Sequence, residues 1–401
     1  MKNILISGAS IGGPALALEL ARYGFSVTIV EKAPALRPGG QAVDFKGEIH
    51  MTVLRRMGLL DEIRELQTGG TDQDIIDAQG RTLALLPGEF TGGELEIHRG
   101  DLAILLHEHC VAAGVKYVFG DSITSITETA SGAHVTFERS APRTFDLVVG
   151  ADGIHSNVRR LVFGPESDYV TFLGHYYALA ETDTHVGSRG KMYNEPGRMV
   201  ASGGPKAGSF FVFASPEVDY DRHSTESMKK VLLDAYAGMG WKTPQILDAV
   251  RQADTFYLDS ISQVRLDHYA KGRVVLIGDA AYGNTLAGFG TGLALVAAYV
   301  LAGELATCRG DHRAAFQAYE DGFGDYAKVA HHGHAGRFLA PRTRRGMWAR
   351  NAIFKYGFLL KMMMKMTDDY ATNITLKEYA APYAAAHERR GGPAGSSRRA
   401  R

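Results

Sequence analysis

Cysteine is nearly missing: Cys110 and Cys308 are the only two in 401 residues. They make neither a metal-ligand spacing nor a disulfide framework, and so few thiols suit a reducing compartment. A charge excess is missing as well. Lysine plus arginine and aspartate plus glutamate both number 44, so no global field draws the chain to nucleic acid or to a membrane surface. Nor does any segment offer ~20 uninterrupted apolar residues, which argues against a transmembrane helix. The apolar N-terminal stretch is broken by glycines and runs on into a strand–helix–strand unit, unlike a secretory signal. No internal repeat is present. These absences predict a cytoplasmic protein, a monomer or weak dimer, with no nucleic-acid partner, no stable membrane insertion and no bound metal. The length allows two domains sharing a substantial core.

What the chain does have is a set of glycine-rich turns. The first lies in NILISGASIGGPALALELARYGFSVTIVEK. Asn3 to Ser7 is an apolar run short enough for a buried parallel strand. Gly8 opens the turn, Pro14 is acceptable in the first turn of a helix, and Gly24 is placed to end that helix. Phe25 to Val30 is a second strand, and Glu31 closes it. In a dinucleotide-binding turn the first glycine permits the bend, the second lets backbone approach pyrophosphate, and the third lets helix and strand pack closely. Gly8 and Gly13 fill the first and third places, while Ser10 stands in the second with a hydroxyl able to bond a phosphate. The helix start offers free N–H groups to an anion. Glu31, 18 residues past Gly13, is where an acid accepts from ribose hydroxyls. An ordinary βαβ unit explains one such turn, but strand, helix, strand and terminal acid in this order favour a nucleotide.

Two further turns follow. In GADGIHSNVR, Gly150, Asp152 and Gly153 come after a buried strand, with Ser156 and Arg159 on the next helix. In RVVLIGDAAYGNTLAGFGTGLALVAAYVLAGEL, Gly278 and Asp279 end a strand, and Gly288, Gly290, Thr291 and Gly292 lead into a helix. Between about Tyr169 and Val264 the pattern changes to strands such as YYALAET and SFFVFAS. The nucleotide-binding pattern is thus interrupted and then resumed.

With these three motifs the chain resembles the class A flavin-dependent monooxygenases, the aromatic hydroxylases typified by p-hydroxybenzoate hydroxylase, and within them the short tetracycline-modifying and polyketide-tailoring type. The resemblance covers roughly residues 1–380. It implies an α/β fold: a Rossmann-like FAD-binding domain (1–168 and 265–340), an inserted β-rich substrate domain (169–264) and a C-terminal bridging helix in a helical segment 341–380, followed by a disordered basic tail at 388–401. It implies FAD as cofactor and NADPH or NADH as co-substrate. Gly8, Ser10, Gly13 and Glu31 would hold ADP, with Lys32 on the adenosine side. Arg99, in EIHRGDLAILL, matches an arginine at a helix start beside FAD. Asp152 belongs to the motif associated with FAD and NAD(P)H, and Asp279 would accept from ribityl hydroxyls. Arg37 and Asp44 flank a loop that touches flavin or nicotinamide in related enzymes. Gly288 to Gly292 would face the flavin pyrimidine edge, where a helix start stabilises negative charge on the reduced ring.

The implied chemistry is reduction of FAD by NAD(P)H, reaction with dioxygen to a C4a-hydroperoxide, and delivery of one oxygen to an aromatic or polyketide-like substrate. No separate catalytic residue is required. A non-oxygenating FAD oxidoreductase and a non-enzymatic flavin- or ligand-binding protein are the alternatives. Two departures stand out: Tyr282 occupies the family's histidine position, and Gly283 to Ala287 contains no proline. Alternation along strands places Phe211 with Phe213 on one face and His175 with Tyr177 on one face. These four are core residues or the lining of an apolar cavity for a flat ligand. In RRGMWARNAIFKYGFLLKMMMKM, Arg350, Lys355, Lys361 and Lys365 fall on one helical stripe, read as a bridging helix over a membrane-surface one.

Overall fold

The computed structural model describes residues 2–37, 39–88, 93–182, 189–203, 208–362 and 374–379. Its organising element is a six-stranded sheet ordered Ala270–Lys271, Val274–Leu276, Leu147–Gly150, Asn3–Ser7, Ser26–Glu31, Lys116–Phe119. All neighbours are parallel except the antiparallel edge pair at 270–276. Asn3–Ser7 is central, with Ile4 opposite Leu147 on one side and Val27 on the other. The three motif turns leave the same carboxyl edge of three adjacent strands, the place where open α/β sheets bind ligands. The topology therefore gathers motifs that lie more than a hundred residues apart.

Two helices pack against each other on this sheet, Gly12–Arg22 and Gly290–Thr307. The second is apolar all round because residues 292–305 are all buried. By length and composition alone it would cross a membrane, but 78% of it lies inside the protein, so it is a core helix.

A seven-stranded sheet stands over the carboxyl edge, ordered Phe256–Val264, Val170–Ala180, Ser209–Ala214, Arg198–Ser202, Gly190–Glu195, Gln73–Ile76, Thr82–Leu86. Its last two strands come from ahead of residue 169, through parallel pairing of Gln73–Ile76 with Gly190–Glu195. One face is covered by the helices Thr225–Tyr236 and Thr243–Gln252, with Tyr176, Phe211, Phe213, Leu232, Tyr236 and Ile246 in the core between. The other face carries Tyr177, Met192, Met199, Val212 and Ile261, joined by Ala340 and Phe354 from the C-terminal part.

The C-terminal helix Arg344–Lys355 docks on this sheet. Arg350 is no part of a solvated basic stripe: it is 4% exposed, donates to Asn194 Oδ1 at 2.8 Å, and reaches the carbonyl oxygens of Phe338 and Leu339. Burial lowers its pKa to about 10. Residues 374–379 form neither helix nor strand and lie on the core helix Gly290–Thr307, because buried Glu304 draws Lys377 Nζ to 2.6 Å and the Tyr379 hydroxyl to 2.8 Å. Lys365 and the tail 388–401 lie outside the described residues.

Candidate cofactor cleft

At the first turn two positions have no room for a side chain. A Cβ on Gly8, whose φ is 109°, would stand 2.3 Å from the Ala151 carbonyl oxygen, and one on Gly13 would stand 2.0 Å from that of Gly8. Gly8 thus lets the first and second motif turns touch, and Gly13 lets the helix sit on the strand. Ser10, between them, is exposed, and its hydroxyl accepts from Arg99 Nη1 at 3.2 Å. Burial and the nearby charge of Arg37 lower the Arg99 pKa. Glu31 folds back toward the turn: its two carboxylate oxygens accept from Ala9 N and Ala33 N, each at 2.8 Å. Lys32 and Arg37 are exposed.

Asp152 is committed to the fold. Its Oδ1 accepts from the Ser156 hydroxyl at 2.5 Å, and its Oδ2 accepts from Asn157 N at 2.9 Å and Val158 N at 3.0 Å. Ser156 in turn caps the helix Asn157–Val162 by accepting from Arg159 N. Arg159, wholly buried, donates to the carbonyls of Ile154 and Ala280 at 2.6 and 2.9 Å, tying the second turn to the third.

Asp279 differs. It is exposed, yet enough protein surrounds it that burial raises its pKa. A carboxylate on the floor of a deep crevice has that combination of properties. Among the described residues it has no hydrogen-bond partner. Tyr282, at the family's histidine position, points the other way. It is 1% exposed, its hydroxyl accepts from Gly278 N at 2.8 Å, and its ring packs on Tyr269 and Phe323. Where proline is absent, the loop is pinned instead by hydrogen bonds: Thr285 N to Ser262 O at 3.0 Å and Asn284 Nδ2 to Ala330 O at 2.6 Å. Leu286 there takes a positive φ of 62°, a conformation uncommon outside glycine. The helix beginning at Gly290 has no side-chain cap at Phe289, so N–H groups of its first turn, including those at Thr291 and Gly292, receive no side-chain acceptor at that position. Asp44 lies beside this turn, paired with Lys46 at 2.7 Å.

On the overhanging sheet, pairing sets the faces. Tyr177 is opposite Val212, and Tyr176 is opposite Phe213. Phe211 and Phe213 therefore do not line the cleft. They pack edge-on against Tyr236 at 5.2 and 5.8 Å, under the covering helices. His175 is on the Tyr177 side but wholly buried, its ring 5.9 Å from His334, beneath the helical turn Ala335–Leu339. Tyr177 is on the opposite face from the two phenylalanines; burial raises its pKa, and the charges of Asp259 and Asp279 add to this.

Four residues not singled out from the sequence complete this wall. Tyr257, its ring 5.8 Å from Tyr177, donates to Asp259 Oδ2 at 2.8 Å. Asp259 Oδ1 is 3.1 Å from His155 Nε2, and His155 Nδ1 is 2.9 Å from Glu166. Burial opposes a charge on His155, but the two carboxylates override it and raise its pKa to about 9. A protonated imidazole thus links the second motif to the sheet.

A family model and several known proteins resemble this chain. A family model described as FAD binding domain matches residues 1–321. A flavin-dependent monooxygenase of Legionella longbeachae is 35% identical over 332 residues, covering 79% of this chain and 84% of its own. Among solved structures, tetracycline destructase Tet(51) aligns with a TM-score of 0.80 at 28% identity, covering 95% of this chain and 99% of its own. Tet(55) aligns at 0.78 and 31% identity, covering 94% and 99%. The chain belongs to the class A FAD-dependent monooxygenases, and it is an enzyme rather than a passive flavin-binding protein.

Proposed function

We propose that this enzyme hydroxylates an aromatic or polyketide-like small molecule, with NADPH or NADH as reductant and dioxygen as the source of the oxygen. The observation that carries the reading is the state of Asp279: a carboxylate on the cleft floor without a protein partner, at the place where a polyhydroxylated chain would need an acceptor. The rest of the cleft fits FAD in the same sense. Ser10 and Arg99, with Arg37 nearby, offer donors and positive charge for pyrophosphate beside the Gly8–Gly13 turn. We assign Glu31 to the adenosine ribose and Lys32 to the outer adenosine edge. The uncapped start at Gly288–Gly292 favours negative charge on the far end of the cofactor. Asp152 supports the site through the fold.

FAD, when bound, supplies hydride acceptance and oxygen activation. The chain's own residues orient the substrate and keep water away. Beside the cleft the exposed Tyr257 ring lies against Tyr177, an aromatic surface that suits a flat ring system. The likeness to tetracycline destructases supports a polycyclic substrate and a role in antibiotic modification. We assign residues 1–168 and 265–340 to cofactor binding, and 169–264 with the strands at 73–86 to the substrate side. Use of NAD(P)H would suit a cytoplasmic reaction.

The test is oxidation of NADPH and NADH by the yellow holoenzyme across a panel of phenols and polycyclic compounds under labelled dioxygen. One labelled oxygen in the product is expected. Compound-stimulated NAD(P)H oxidation with no label in any product would overturn oxygen insertion.

A further inference from the structure

The cleft holds a cation that none of the three motifs announces. Lys46 follows the strand Ala42–Phe45 and precedes the helix Gly47–Arg56. Its ammonium is 2.7 Å from Asp44 Oδ2, and the two side chains are only 18% and 14% exposed. It also lies 5.7 Å from the centre of the Phe289 ring, and 3.4 Å from the point that a Cβ on Gly288 would occupy. On the other flank of the same turn, Asp279 Oδ1 lies 3.4 Å from where a Cβ on Gly290 would be. An ammonium and a carboxylate thus bracket the glycine turn, with an uncapped helix start between them.

The surroundings leave Lys46 as the cation beside this turn. His50, directly behind it, is 2% exposed, accepts from Lys46 N at 3.1 Å and meets the Tyr326 hydroxyl at 3.2 Å. Burial and the charge of Lys46 lower the His50 pKa to about 4, so at neutral pH this imidazole adds no second cation. Asp44 is the only acid paired with Lys46 among the described residues.

We propose that Lys46 sets the reduction potential of the bound flavin and that Asp44 is the counter-charge that restrains it. This rests on the reading that the Gly288–Gly292 turn holds the flavin ring. Reduction places negative charge on that ring. A fixed cation in a partly dehydrated cleft stabilises the charge far more than it would in water, and a neighbouring carboxylate cancels part of the effect. Charge near the flavin nitrogens is a recognised means by which a protein tunes the cofactor's electronics. Lys46 is a tuning residue here. Its effect is on the energy of the reduced cofactor and does not require it to exchange a proton.

The experiment measures the midpoint potential of bound FAD by dye-coupled reductive titration of holoenzyme, alongside FAD affinity, for wild type and for Lys46→Met, Lys46→Arg and Asp44→Asn. Lys46→Met is expected to move the potential to more negative values, Lys46→Arg to hold it near wild type, and Asp44→Asn to move it to more positive values. Shifts of the same sign for Lys46→Met and Asp44→Asn, or unmoved potentials with flavin retained, would overturn the proposal. Should Lys46→Met fail to retain flavin, Asp44→Asn decides alone: a positive shift supports the proposal, and no shift or a negative one overturns it. The underlying reading fails separately. Unaltered FAD affinity in Asp279→Ala would dislodge the flavin from this turn, whereas weakened affinity there with unmoved potentials would remove only the role of Lys46.

Discussion

Asp152 and Asp279 occupy equivalent places. Each follows a parallel strand, Leu147–Gly150 or Val274–Leu276, and those strands are neighbours in one sheet. Each sits in a glycine-bearing turn ahead of a helix. Yet Asp152 spends both oxygens on the helix that follows it, whereas Asp279 spends neither. A carboxylate at the carboxyl edge of such a sheet has two uses, closing a helix start or meeting a ligand, and only the count of its hydrogen bonds tells them apart. Burial raises the pKa of both. The shift therefore does not separate them; the partners do.

The largest effect should come from breaking the structural member. Asp152→Ala removes the acceptor for the Ser156 hydroxyl and for two backbone N–H groups. Leaving those donors unpaired is expected to lower the unfolding free energy by about 3 kcal/mol, read from urea denaturation of the flavin-free protein. FAD affinity of the folded fraction should stay near wild type. Full stability with lost affinity would reverse the comparison and make Asp152 a ligand group.

Asp279→Asn should show the opposite pattern. Loss of charge-assisted bonds of ~1.5–3 kcal/mol each predicts FAD binding weakened roughly ten- to a hundredfold. Flavin-free stability should not fall. Because the folded-state pKa of Asp279 is raised, the unfolded chain gives up this proton first as pH rises, so the wild type loses stability from about pH 4, the unfolded value, up to the folded value. Asparagine removes that loss. The variant should therefore gain on the wild type across that window and keep its advantage above it, in denaturation curves taken from pH 4 to 8. A variant less stable than wild type at pH 7 would mean that Asp279 has a structural partner after all.

The same comparison explains what could be read from the sequence. Strand–turn–helix grammar is local, so the three turns, the parallel strands and the interruption between them were legible within stretches of about thirty residues. Partners are not local. His155 and Asp259 are 104 positions apart, so nothing near either residue announces their contact. The pairing of Gln73–Ile76 with Gly190–Glu195 is likewise invisible to spacing. Alternation correctly grouped Phe211 with Phe213, and His175 with Tyr177. Which face looked at the cleft depended on register, and the pairing of Tyr177 with Val212 puts the two phenylalanines on the other side. Tyr282 was legible as a departure. Its consequence, a phenol closing the Gly278 turn from the core side, needed the fold.

The smallest effect tests the turn where Gly8 and Gly13 leave a gap filled by serine. The Ser10 hydroxyl accepts from Arg99 at 3.2 Å, and a hydroxyl that accepts one bond still has its proton to donate. It is thus able to hold Arg99 and an anion together. Ser10→Ala removes that link but leaves Arg99 its charge and the backbone its N–H groups. The residue is exposed, so water replaces part of what is lost. The expected weakening of FAD binding is about 0.5–1.5 kcal/mol, or roughly two- to tenfold, well below that for Asp279. Ser10→Gly should fall between, since it loses the hydroxyl but permits closer backbone approach. The decisive measurement is a double-mutant cycle of Ser10→Ala with Arg99→Lys, read as FAD dissociation constants. Non-additive losses would show serine and arginine acting as one anion site. Strict additivity would confine the serine to filling space, and leave Arg99 and the turn's backbone to hold the phosphates unaided.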